Sequence, residues 1–176
     1  APEELGSEIP FIKVLGQHSQ YVPIIDDVVF AYALRGGWAR VYEGGGQVPI
    51  RERFFLGGRT TVRGFSEDSI GPTGSLGNAI GGDWMLNVNS QLTFPLIFGL
   101  GGEIFADAGT VYVQNCPSGQ GINNCAINFE NFRRSAGLGL RYITPIGPIT
   151  LEYGFKLDRR SDESLGAVVF SIGTIF

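Results

Sequence analysis

The sequence predicts an all-β fold: about seven antiparallel strands forming part of the wall of a transmembrane β-barrel, with one long loop folded into the lumen. Three observations lead there. Segments of roughly ten residues or more alternate apolar with polar or small side chains, the period of a two-faced strand. Short and long connections alternate along the chain, as they do between the two rims of a membrane barrel. Glycine (27) and phenylalanine (13) abound, whereas charged residues make up only 17%, below the roughly 25% of an ordinary soluble domain.

The strands follow in order. The first is FIKVLGQHSQYVPI, Phe11 to Ile24; after the turn IDD, the second is VVFAYALRGGWARV, Val28 to Val41. A long loop, about 42–82, precedes the third strand, Asp83 to Leu96. There Trp84, Leu86, Val88, Leu92 and Phe94 share an apolar face, and Met85, Asn87, Asn89, Gln91 and Thr93 share the other. The fourth strand, Gly99 to Val113, sets Glu103, Phe105, Asp107 and Gly109 against Ile104, Ala106 and Ala108. On the fifth, Arg133 to Thr144, Ala136, Leu138, Leu140 and Tyr142 alternate with Ser135, Gly137, Gly139 and Arg141. TPIGPI turns into the sixth, Ile149 to Asp158, where Ile149, Leu151, Tyr153 and Phe155 oppose Thr150, Glu152, Gly154 and Lys156. The last strand, AVVFSIGTIF, carries Val168, Phe170, Ile172 and Phe176 on one face.

No run of 18 apolar residues exists, so no transmembrane helix is expected; barrel strands need only about 9–11 residues. Aromatic residues recur near strand ends (Tyr21, Trp38, Tyr42, Trp84, Phe94, Phe98, Tyr112), where interfacial girdles sit. A soluble β-sandwich also alternates. Low charge, polar inner faces and the terminal Phe176 favour the barrel.

Several function classes drop out. A net charge of −4 argues against nucleic acid. His18, the single histidine, has no nucleophile and carboxylate placed around it, and a lone strand histidine is usually structural. Glu3-Glu4 and Asp26-Asp27 read as solvated turn residues, and Ser66, Asp68 and Ser69 as a polar loop tip. The glycine clusters lack the strand-to-helix context of a phosphate site. No enzyme, cofactor or metal site is expected. Cys116 and Cys125 lie in the polar stretch NCPSGQGINNC, which suits a disulfide in an oxidising compartment; two free thiols or half a metal site are the alternatives.

The stretch RERFFLGGRTTVRGFSEDSIGP, 51–72, has neither helical nor strand periodicity after Val62, and is too apolar to leave in water. A loop can fold back into a barrel lumen if its polar groups find partners there. Arg63 would then face Asp107 and Glu103, with Asn87, Asn89 and Gln91 nearby, and Gly64 would let the backbone turn tightly.

FFLGGRTTVRGF, the Phe-x-Asp-x-Gly of Phe105 to Gly109, the hairpin GLGLRYITPIGPITLEYGF and a phenylalanine-terminated last strand occur in that order. Together they resemble the C-terminal half of the barrel in the BamA superfamily of outer-membrane assembly proteins, over about Phe11 to Phe176. BamA proper, the TamA-like branch and the two-partner-secretion branch share these motifs. The resemblance implies a 16-stranded barrel preceded by periplasmic POTRA domains. Residues 1–176 would then be its C-terminal part, strands ten to sixteen, with the POTRA domains and first strands absent from this chain; APEELGSEIPF reads as the middle of a connection.

The resemblance implies a lumen motif of Val62, Arg63, Gly64 and Phe65, with Arg63 paired to Asp107 and with Glu103, Gln91, Phe105 and Gly109 around it. Where the family often has an acidic residue on the third strand, four positions before the proline, this chain has Gln91. Read blandly, such a pair is only a loop clamp.

The function implied is assembly of other β-barrel proteins in the outer membrane of a Gram-negative-type bacterium, or of an organelle of such descent. The lateral seam strand would hold Phe170, Ile172, Gly173 and Phe176, with Gly173 weakening it. Expected partners are membrane lipids, unfolded barrel substrates, accessory lipoproteins and the remaining barrel strands, from the same or another chain. A two-partner-type secretion pore and a passive structural barrel are the alternatives.

Overall fold

The computed structural model describes residues 10–42, 46–74, 77–113, 131–145 and 147–173. Its seven strands form one antiparallel sheet in sequence order: β1 (Phe11–Ile25), β2 (Val28–Val41), β3 (Trp84–Pro95), β4 (Leu100–Tyr112), β5 (Arg133–Thr144), β6 (Gly147–Lys156) and β7 (Gly166–Ile172). The up-and-down order follows from the short hairpins, because adjacent antiparallel strands need only a turn between them. Asp27 takes a positive φ of 62° in the first turn and Phe98 one of 55° in the β3–β4 turn. The strand ends differ from the sequence reading by a residue or two. β6 begins at Gly147 because Thr144 pairs with Gly147 across the hairpin, so the ladder absorbs half of TPIGPI.

Alternation sorts the wall into two faces. Ile104, Leu138, Leu140, Leu151, Val168, Phe170 and Ile172 point outward and stay exposed, as lipid-facing side chains must. Asn87, Asn89, Gln91, Glu103, Asp107, Ser135, Thr150, Glu152 and Ser171 point inward and are buried. Polar residues are buried here because the long loop lies over them. The described part of that loop, with a single 3-10 turn at Ile50–Glu52, packs Val48, Phe54, Leu56, Val62, Phe65 and Ile70 against Ala39, Met85 and Val111 of the wall. Each such side chain contributes roughly 1.5–3 kcal/mol when fully buried, which holds the loop inside despite its irregular backbone. β1, which the described loop touches at Lys13 through Glu52 and the Phe54 ring, is otherwise exposed on both faces for nearly its whole length.

β1 and β7 are the edges of the sheet. β7 is half the length of β1, 7 residues against 15. Gly173 lies beyond its end rather than inside it, with φ +97°, and its amide donates to the Pro148 carbonyl at 2.8 Å. The weakening expected within the strand is thus a bend where the described ladder stops. Phe176, Cys116 and Cys125 lie outside the described residues.

Leu138 sits midway along β5 and faces outward. Leu138→Arg should cost about 2–4 kcal/mol in the full-length protein, and Tyr142→Arg, nearer the rim, about 0–1 kcal/mol. Urea unfolding in vesicles reads the difference; equal costs would mean this face does not span lipid.

Candidate functional site

Gly64, with φ +90°, turns the loop so that Val62, Arg63 and Phe65 all descend onto the wall. Its backbone meets β6 directly: a Cβ on Gly154 would stand 2.7 Å from the Gly64 nitrogen. Only glycines permit that approach. Beside it Leu56 and Val62 rest on bare Gly109, where a Cβ would come within 2.9 Å of both side chains. The loop holds its own shape by Gly58 N–H to the Phe65 carbonyl at 3.1 Å and Ile70 N–H to the Leu56 carbonyl at 2.8 Å.

The guanidinium of Arg63 is 1% exposed and meets three strands. Its Nε donates to Asp107 Oδ2 at 2.8 Å and its Nη2 to Asp107 Oδ1 at 2.9 Å, a bidentate fork. The Arg63 amide adds a third donor to Oδ2 at 3.1 Å. Nη1 donates to Gln91 Oε1 at 2.9 Å and to Glu152 Oε1 at 2.5 Å. Beneath, the Phe105 ring lies 3.7 Å from the guanidinium carbon, a cation–π contact, and itself sits over bare Gly137. Asn89 steadies Asp107 Oδ1 at 2.8 Å and also donates to the Thr61 carbonyl, which Asn87 reaches as well.

Val62, Arg63, Gly64, Phe65, Phe105, Asp107, Gly109 and Gln91 therefore meet at one place. Glu103, expected as the second carboxylate for Arg63, bonds Gln91 Nε2 at 3.1 Å instead. The second carboxylate on Arg63 is Glu152, which sequence reasoning put on the inner face of its strand without giving it a partner. The signal lay in TLEYG, an inward acid two residues before the glycine that receives the motif. Gln91 accepts from Arg63 through Oε1 and donates to Glu103 through Nε2.

Phe170 and Ile172, expected at a lateral seam, lie far along the sheet, at its β7 edge and facing outward. No group of three or more His, Cys, Asp or Glu side chains among the described residues could hold a metal ion.

A clamped inward loop on an open antiparallel wall, followed by a model of the Omp85 superfamily domain that matches residues 3–176, decides the family. The chain belongs to the Omp85 superfamily. It is 32% identical to the outer membrane protein assembly factor BamA of Nitratidesulfovibrio vulgaris, over 98% of this chain and 21% of that protein. It is 36% identical to the sorting and assembly machinery component 50 homolog of Bos taurus, over 97% of this chain and 38% of that protein. The crystal structure of BamA from Haemophilus ducreyi lacking POTRA domains 1–3 superimposes with a TM-score of 0.76 at 25% identity, covering 94% of this chain and 35% of that one. The chain thus spans between a fifth and two fifths of the length of these curated relatives.

A second clamp in this Omp85 wall ties the motif to the β6–β7 loop. Arg133 stands 4.8 Å from the Phe65 ring, reaches Asp158 at 3.5 Å and bonds Glu163. Burial pushes the Glu163 carboxyl up, but the Arg160 amide and the Arg133 guanidinium outweigh it and hold the group below the usual carboxylate range. A group depressed in the folded state stabilises above its unfolded pKa and loses that stabilisation as pH falls through the folded value.

Three outcomes are expected. Arg63→Ala leaves Asp107 and Glu152 buried without their cation and should destabilise the loop by about 3–5 kcal/mol, read as new protease cleavage within 46–74. Exchanging the pair, Arg63→Asp with Asp107→Arg, should not rescue it, because an aspartate at 63 would meet Glu152; full rescue would mean that Glu152 contributes nothing. Acidification below pH about 4.5 should release the β6–β7 loop, seen as faster amide exchange over 157–165, and Glu163→Gln should abolish that pH dependence.

Proposed function

We propose that this chain is the C-terminal wall of an outer-membrane assembly factor, which helps unfolded β-barrel proteins insert and fold without a nucleotide or a catalysed reaction. Its place is the outer membrane of a bacterium or of an organelle of bacterial descent. The observation that carries the reading is the likeness over 97–98% of the chain to proteins named for assembly, a bacterial outer membrane assembly factor and a sorting and assembly machinery component of Bos taurus. Two features of the wall support it. The loop occupies the inner face of β2 to β6, so this part of the lumen is filled rather than open. The β7 edge is short and ends in a bend, and a weakly held edge leaves backbone donors and acceptors for an incoming strand.

The Val62–Phe65 motif would act as a positioning device: it holds β3, β4 and β6 at one spacing and so fixes the curvature of the wall leading to the seam. Partners under this reading are membrane lipids, unfolded barrel substrates, accessory lipoproteins and the barrel strands that complete the closure. Residues 1–176 would be the C-terminal part of the barrel domain, following POTRA domains and the first strands. The two-partner secretion pore remains the second reading, since its branch carries the same motifs.

Reconstituting the full-length protein in vesicles with a urea-denatured barrel substrate tests the proposal. Folding, followed as heat-modifiable mobility, should accelerate, and Arg63→Ala should slow it. Unchanged substrate folding together with conductance that rises in Arg63→Ala would support the secretion pore instead.

A further inference from the structure

On the outer face of the wall, away from the motif, the surface is not smooth. Outward rows run across the strands according to the register: Val14, Trp38, Trp84 and Tyr112 form one row, and Gly16, Gly36, Leu86 and Thr110 form the next. Three aromatic rings in succession therefore stand beside two bare glycines. Trp38 meets Trp84 edge-on at 6.3 Å, and Trp84 stacks on Tyr112 at 5.9 Å and 14°. The step between rows is a groove of about 730 Å³, lined by Gly36 and Gly37, by the rings and by Val14, Leu86 and Phe132, with the exposed Arg40 its one charged lining residue. That volume is in the range of ligand sites, roughly 300–1,000 Å³.

We propose that this groove binds one lipid of the outer leaflet, an amphiphile with a phosphate head group. An acyl chain lies on the glycine floor against the rings, and the phosphate sits on Arg40. The direction follows from the loops: the long connections after Val41 and Tyr112 leave from this end, and long loops mark the exterior rim. The occupant follows from chemistry. The lining is almost wholly apolar, half-exposed at Gly36, Trp38, Trp84 and Leu86 and buried on the β4 side at Thr110 and Tyr112, so the body must be hydrocarbon. Arg40 is exposed and makes no hydrogen bond or ion pair among the described residues, so the head must be anionic. Guanidinium groups take phosphate oxygens in a fork, and basic residues beside membrane strands collect phosphorylated head groups. Aromatic rings at this depth straddle the boundary between chain and head group.

Gly36 makes the idea testable without disturbing the fold. A Cβ there meets nothing within 4 Å, and its φ is not positive, so a larger side chain enters the groove without strain. Full-length protein in nanodiscs containing a bis-phosphorylated glycolipid and phosphatidylethanolamine is released into mild detergent, and retained lipid is weighed by native mass spectrometry. Wild type should keep one phosphorylated lipid per chain. Gly36→Leu should keep about tenfold less while showing wild-type heat-modifiable mobility. Arg40→Ala should still hold lipid but lose the preference for the phosphorylated over the dephosphorylated form. Equal retention by wild type and Gly36→Leu overturns the proposal. So does a photo-cross-linker at position 36 that attaches to residues 114–130 of the chain, or to another protein, instead of to lipid.

Discussion

One buried guanidinium organises this wall. Arg63 brings five donors into a place closed to solvent, and a charge in such a place must be matched by acceptors or it costs several kcal/mol. The matching comes from three strands at once: Gln91 of β3, Asp107 of β4 and Glu152 of β6. Their side chains converge only if the sheet curves by the right amount between β3 and β6. The curvature and the loop position are therefore conditions for each other, and neither can drift without stranding charge.

The glycines of the inner face follow from the same constraint. Phe105 needs Gly137 beneath it to slide under the guanidinium; Gly109 receives Leu56 and Val62; Gly154 receives the backbone of Gly64. A side chain at any of these would lift the motif away from its acceptors. Glycine weakens a strand by itself, and here that cost is offset because the bare wall lets a whole loop bury its apolar residues. On the outer face Gly16 and Gly36 leave a comparable gap beside the aromatic row.

A rigid clamp and a weak edge lie at different places in the sheet. The motif braces β3 to β6, whereas β7 carries only seven paired residues before Gly173 turns. A wall that is clamped where it holds its own loop and short-paired at its margin would suit the assembly role proposed above. The second clamp, Arg133 with Asp158 and Glu163, extends the stiffness outward to the rim, where pH can reach it.

The strands, their order and their two faces were legible in the sequence because a barrel wall solvates each face differently, and a period of two records that difference residue by residue. Inward phase alone set Asp107 and Glu103 before Arg63, and the family resemblance singled out Asp107. What the sequence could not rank was the choice between inward carboxylates. Glu103, Asp107 and Glu152 all carry the inward phase, and phase says nothing about height or about distance across the sheet. Strand register and the depth to which the loop sinks decide that Glu152, 89 positions from Arg63, takes the second bond while Glu103 turns to Gln91. The bend at Gly173 and the outer groove at Gly36 are likewise products of register, which sets side chains of neighbouring strands in rows that no single strand contains. The sequence by itself determined what each residue can face; tertiary structure alone decided what it meets.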